Sequence, residues 1–144
     1  MHVLRYQKKV TYPFRSLSQC DSPHPYIPIR IRNPHTGKSC DAYGLIDTGA
    51  DACFFPGWLA EQLGHDLKKG LHPSKIMTGN GEATASEHTL RLEVKDISGA
   101  SIFVVDDALI QVMPNLNVIL LGVSMFLEHF VLTVNYPKQM FSIE

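Results

Sequence analysis

The sequence is short of most features that would mark a specialised class. Its 144 residues carry 13 Lys and Arg against 14 Asp and Glu, a formal net charge of −1 with histidine neutral. A chain without a basic field lacks the electrostatic footprint of a nucleic-acid binder. No run approaches the roughly 18–20 apolar residues that a membrane-spanning helix requires, so no membrane partner is expected. Cysteine is scarce, and Cys20, Cys40 and Cys53 fit no CxxC spacing, so they read as three reduced thiols. The seven histidines include no i,i+4 pair and no HExxH, so neither a metal nor another cofactor is expected. Rings are too scattered for a base-stacking platform, and Trp58 and Phe126 are expected in the core. The basic stretch MHVLRYQKKV is not followed by an apolar segment, so no signal peptide is evident. Together with reduced thiols, that points to the cytoplasm. Strands and helices do not alternate, and no repeat is visible.

What is present suits one folded domain: 44% of residues are hydrophobic and 19% charged. Residues 1–25, with the Ser/Pro/Asp-rich SLSQCDSPHP, read as an arm or linker ahead of a domain over 26–144. Within the arm, VTYPF suits a short edge strand or a docking segment. YIPIRIR (26–32) alternates strictly, with Ile27, Ile29 and Ile31 on one face. NPHTGK is a turn, and SCDAYGLI (39–46) returns as a second strand that delivers the chain to Asp47. GWLAEQLG (57–64) reads as one or two helical turns capped by Gly64. Residues 74–94 form a second hairpin pattern with Gly79-Asn80-Gly81 at its tip. Residues 99–112 are rich in Ile, Val and Phe, interrupted by Asp106-Asp107, which read as a turn or a solvated strand end. Residues 117–130 start as a buried strand, pass Gly122 and continue as a short helix. Residues 131–144 hold two strand-like runs. Short strands with regular turn signals predict an all-β fold, barrel or sandwich.

GLIDTGADACFFP (44–56) is the stretch that suggests chemistry. Two carboxylates stand in a small-residue turn between apolar runs. Taken alone, Asp47-Thr48-Gly49 also suits a plain Asx-turn between strands. Small neighbours let backbone N–H groups approach the Asp47 carboxylate and favour its ionised form. One carboxylate can orient a water. Taking the water's proton and protonating a leaving amine needs a second carboxyl group in another protonation state. Asp51 is the local candidate, but in an extended turn the two side chains diverge. With no second Asp-Thr/Ser-Gly in the chain, a second aspartate has to come from another copy, which implies a two-fold dimer. Cys53, beside this turn, reads as a small apolar filler.

Three segments, in order, resemble the retropepsin-type aspartic peptidases and especially their short single-lobe bacterial members. Leu45-Ile46-Asp47-Thr48-Gly49-Ala50-Asp51 matches the family's apolar-apolar-Asp-Thr-Gly-Ala-Asp. Lys75-Ile76-Met77-Thr78-Gly79-Asn80-Gly81 is similar to its glycine-rich flap, and Val118-Ile119-Leu120-Leu121-Gly122 to the element before its C-terminal helix. The resemblance covers roughly residues 26–144. It implies a closed single-lobe β-barrel with one or two short helices, working as a homodimer on peptide or protein substrates without a cofactor. Asp47 would be catalytic, Thr48 would brace the paired loops across the axis, and Gly49 would offer its N–H near the carboxylates. Ala50 and Asp51 would face the substrate backbone. Thr78, Gly79, Asn80 and Gly81 would close over the substrate, and Gly122 would pack beneath the catalytic loop. The chain departs from the retroviral pattern in having Asn80 at the flap tip, Glu82 after it, and Val123-Ser124 where an arginine follows Gly122. Asp51 is therefore left to another partner, with Arg30 and Arg32 at hand. A non-catalytic dimerisation or peptide-binding module of the same fold is the alternative. A third reading is a peptidase that cuts its own arm.

Overall fold

The alternation of residues 26–32 is realised as a strand with one dry face. The computed structural model describes residues 3–5, 8–67, 71–78 and 81–144, with the backbone alone at 3–5, 71–78, 82 and 83. β1 (Val3–Arg5) and β2 (Val10–Pro13) precede β3 (Tyr26–Arg32), where Ile27, Ile29 and Ile31 are at most 1% exposed while Arg30 and Arg32 face water. β4 (Ser39–Ile46) returns antiparallel to β3, pairing Arg32 with Ser39 and Tyr26 with Leu45. β5 (Phe54–Pro56) leads into α1 (Gly57–Gln62), and β6 (Leu71–Thr78) pairs with the long β7 (Gly81–Lys95). β8 (Ser101–Met113), β9 (Ile119–Leu121), β10 (Leu132–Asn135) and β11 (Met140–Ile143) complete the chain.

A closed barrel follows from the order β8-β5-β9-β4-β3-β7, because β7 also pairs with β8. Closure joins these strands edge to edge, although β9 covers only the Gly44–Ile46 end of β4. The interior holds Leu90, Leu92 and Val94 from β7 and Phe103, Val105, Ala108 and Ile110 from β8, all 1% exposed or less. A second sheet, β10-β11-β2, lies on this core through Tyr12, Phe141 and Ile143, which are 1–2% exposed. Tyr12 stacks on Phe141 with centroids 5.1 Å apart and donates its hydroxyl proton to the carbonyl of Lys95 at 2.8 Å. The first 25 residues thus supply β1 to the edge of β8 and β2 to the edge of β11. Residues 16–23 form a loop closed by an antiparallel bridge between Arg15 and His24.

Two expectations change. Asp106-Asp107 sit inside β8, not at a turn or strand end. Leu90 pairs with Ala108 but Leu92 with Val105, so β8 carries an extra residue there. Such a bulge keeps both acids off the core within a continuous strand, and Asp106 accepts from Arg91 Nε at 3.2 Å. Trp58 is 53% exposed, whereas Phe126 is fully buried as expected. In so short a helix the buried stripe falls on Leu59 and Ala60, and Trp58 points outward. After Gly122 the expected short helix is a single 3-10 turn, Leu127–His129.

α1 ends at Gln62, and just beyond its cap Gly64 adopts φ +85° and packs against Thr36. The next residue, His65, is turned onto His88 of β7, with ring centroids 5.0 Å apart. Its Nε2 is buried with no hydrogen-bond partner among the described residues. Burial, then the neighbouring His88 and His35, push the His65 pKa down to about 4. Burial also lowers that of His88, against the pull of Asp66. The unfolded chain therefore binds more protons than the folded one between about pH 6.5 and pH 4, and stability falls as pH falls through that window. The expected result is a Tm lower by roughly 4 °C or more at pH 4.5 than at pH 7. His65→Gln, which takes up no proton, is expected to lessen the drop in parallel thermal melts.

Candidate active site

The Asp47 turn is built at the end of β4, where two neighbours fix the strand. Gly44, Leu45 and Ile46 pair in parallel with Ile119, Leu120 and Leu121 of β9. The N–H of Asp47 extends this ladder by one bond, donating to the carbonyl of Leu121 at 3.1 Å. Beyond that point the small residues let the chain fold back on itself. The N–H of Gly49 donates to Asp47 Oδ1 at 3.0 Å, and the N–H of Ala50 to the Asp47 carbonyl at 3.2 Å. The Asx-turn and the held carboxylate are therefore one geometry.

The descending limb is pinned from below. Val123 N–H donates to the carbonyl of Ala50 and Ser124 N–H to that of Asp51, both at 2.9 Å. Gln111 N–H on β8 reaches the carbonyl of Cys53 at 2.9 Å. Gly122 lies flat against this limb. A Cβ there would stand 2.5 Å from the carbonyl oxygen of Ala50 and closer still to that of Ala52. Only glycine fits a backbone crossing this close.

Asp47 is half-buried, while Thr48, Gly49 and Asp51 are exposed, so the tip of the turn is open to a second molecule. Ala50 is 8% exposed, and both of its main-chain groups are used inside the protomer. Asp47 and Asp51 share no hydrogen bond, and no ion pair reaches Asp51 among the described residues. Arg30 is taken by Asp41, its Nε and NH2 donating at 2.8 and 3.2 Å. What holds Asp51 in place is the main-chain bond from Ser124. Cys53 is fully buried, its sulfur 3.5 Å from the Ser124 carbonyl, and burial pushes its thiol up to about 11. It stays protonated and fills space. The anchors from Leu121, Val123 and Ser124 are main-chain groups, which carry no residue-type signal in the sequence.

The hairpin of β6 and β7 springs from the barrel beside this turn. Ser86 and Glu87 pair with Val112 and Gln111 of β8, and Gln111 also lies opposite Phe54 of β5. From there the two strands run on to a terminal pair of Thr78 with Gly81. Gly79 and Asn80 lie outside the described residues.

The tight crossing yields a stability test. Gly122→Ala drives a methyl group into two carbonyl oxygens that cannot swing aside without moving the Asp47 turn. The expected loss is about 3 kcal/mol or more, at the upper end for overpacking, read from urea denaturation.

Residues 37–128 match the family model described as "gag-polyprotein putative aspartyl protease". Among solved structures, a retropepsin-like aspartic protease from Rickettsia conorii aligns with a TM-score of 0.65 and 23% identity. The alignment covers 95% of this chain and 99% of that one, and at such identity the likeness is one of fold. A search of curated proteins finds no match. The closed barrel, the Asp47 turn and the segment crossing beneath it fit that fold, and the family model spans well over half of the sequence. The chain therefore belongs to the gag-polyprotein aspartyl protease family, as a single-lobe retropepsin-like aspartic peptidase.

Proposed function

We propose that the protein is an endopeptidase whose active site is completed by a second copy of the chain, with one Asp47 from each protomer. One observation carries this reading. The Asp47 carboxylate is held by the Gly49 N–H at the open tip of a rigid turn, with no second carboxylate bonded to it among the described residues. A turn with a merely structural aspartate has no need to present it there.

Two such carboxylates within a few Å of each other share one proton, as aspartic-protease dyads are known to do. The ionised member takes a proton from a water molecule as its oxygen attacks the scissile carbonyl carbon. The neutral member donates a hydrogen bond to the carbonyl oxygen. The tetrahedral adduct then collapses, its C–N bond breaks, and the leaving nitrogen receives the proton. The titration belongs to the pair and not to either residue. Thr48 braces the two turns across the axis, and Gly49 keeps its N–H on the carboxylate. Asp51, open to solvent, meets the substrate backbone beside Ala50. The hairpin ending in Thr78, Gly79, Asn80 and Gly81 closes over the bound peptide and sheds water.

Asp47→Asn is the direct test. The asparagine Oδ1 still accepts from Gly49, so the fold and melting temperature should be retained. Cleavage of a mixed peptide library between pH 4 and 7 should fall by about a thousandfold or more. Cleavage that persists in purified Asp47→Asn protein overturns the proposal. Peptide binding without cleavage in the unmodified protein favours the binding-module alternative. Because the site needs two chains, specific activity should fall on dilution in step with loss of dimer mass by light scattering.

A further inference from the structure

A large cavity remains outside this chemistry. It encloses about 620 Å³, within the usual range for ligand sites. The loop over residues 16–23 contributes Leu17 to one wall and α1 contributes Trp58 to another, with Cys40–Tyr43 of β4 and Asn117–Ile119 beside them. Leu17 and Trp58 are 47% and 53% exposed, two large apolar side chains left at one opening.

The same cavity borders an incomplete strand edge. β4 pairs with β3 from Ser39 to Leu45, but with β9 only from Gly44 to Ile46. On the β9 side, Ser39–Tyr43 has no strand partner among the described residues. The phase of the strand follows from its end. Asp47 N–H points to β9, whereas Ile46 N–H points to Pro25, just ahead of β3. Alternation then directs the N–H and C=O groups of Asp41 and Tyr43 to the open side, among the cavity's lining residues.

Charge complementarity sets the class of ligand. The Asp41 carboxylate is matched by Arg30 at 2.8 Å. That of Asp21 accepts from Leu17 N–H and Tyr26 hydroxyl at 3.2 Å and lies 3.4 Å from His24. Both wall carboxylates are already engaged within the chain, and the open side of β4 offers an extended backbone the main-chain groups of Asp41 and Tyr43 as hydrogen-bond partners.

We propose that this cavity is a second peptide-binding site, which takes an extended, uncharged segment of a partner protein. The segment adds as a strand to Ser39–Tyr43, in line with β9, and lodges one apolar side chain between Leu17 and Trp58. Strand addition gives affinity through main-chain bonds and specificity through the side-chain pocket. The site lies at the opposite end of β4 from the Asp47 turn, involves no bond cleavage and does not depend on the peptidase reading.

Trp58 is the only tryptophan in the chain, so its fluorescence reports on this opening directly. The probes are two capped heptapeptides, Thr-Val-Thr-Leu-Thr-Val-Thr and the same peptide with Phe at its centre. At least one should bind saturably below about 1 mM, shifting the Trp58 emission and the amide NMR signals of Asp41 and Tyr43. Leu17→Ser and Trp58→Ala, both at exposed positions, should each weaken binding by about tenfold, followed by NMR, while dichroism stays unchanged. N-methylation of alternate peptide amides should abolish binding. Asp47→Asn should leave it unaltered, which separates this proposal from the peptidase reading. Absence of saturable binding, affinity indifferent to both variants, or shifts confined to Asp47–Asp51 and Gly81 overturns it.

Discussion

The crossing of two main chains at Gly122 is the constraint on which the rest of the molecule depends. Gly122 runs beneath the Ala50–Ala52 main chain with no room for a Cβ between them. Above the crossing, three N–H groups from Gly49, Val123 and Ser124 fix the Asp47 carboxylate and the carbonyls of the descending limb. Below it, the chain enters a 3-10 turn and buries Phe126, whose ring packs on Phe130 with centroids 5.2 Å apart. Because the contact is backbone on backbone, it transmits position rigidly. The turn cannot drift without dragging β4, β5 and β9 together.

Much of this was legible in the sequence where physics has a strict period. Ile27, Ile29 and Ile31 announced a half-buried strand, and the Leu90, Leu92, Val94 alternation announced another, because a pleated strand admits no other register for a one-sided core. Gly64 marked its helix end, since few residues other than glycine tolerate its φ. The turn at Asp47 was legible through its motif. Its anchors were not, because Leu121, Val123 and Ser124 act through main-chain atoms. Trp58 misled because hydrophobicity states a preference for burial without stating which face of a one-turn helix is covered. Asp106-Asp107 misled because a bulge lets a strand carry two adjacent acids that would otherwise break it.

The charges outside the turn are arranged locally. Arg30 with Asp41, and Arg91 with Glu93 and Asp106, pair across neighbouring positions of the barrel wall. At these exposures each pair contributes little to stability. Their effect is to neutralise parts of the outer wall, and Asp51, at the open turn, takes part in none of these pairs.

The strand β2 has a consequence for any cut in the loop before β3. Residues 10–13 are laced to β11 along four paired positions, and Tyr12 is sealed in the core. Hydrolysis of a peptide bond between residues 16 and 23 would leave β2 in place as a noncovalent fragment. A nicked molecule, heavier by the one water consumed, would travel as a single particle with its barrel intact until denatured, and covalent integrity and folded integrity would then be separate properties of this protein.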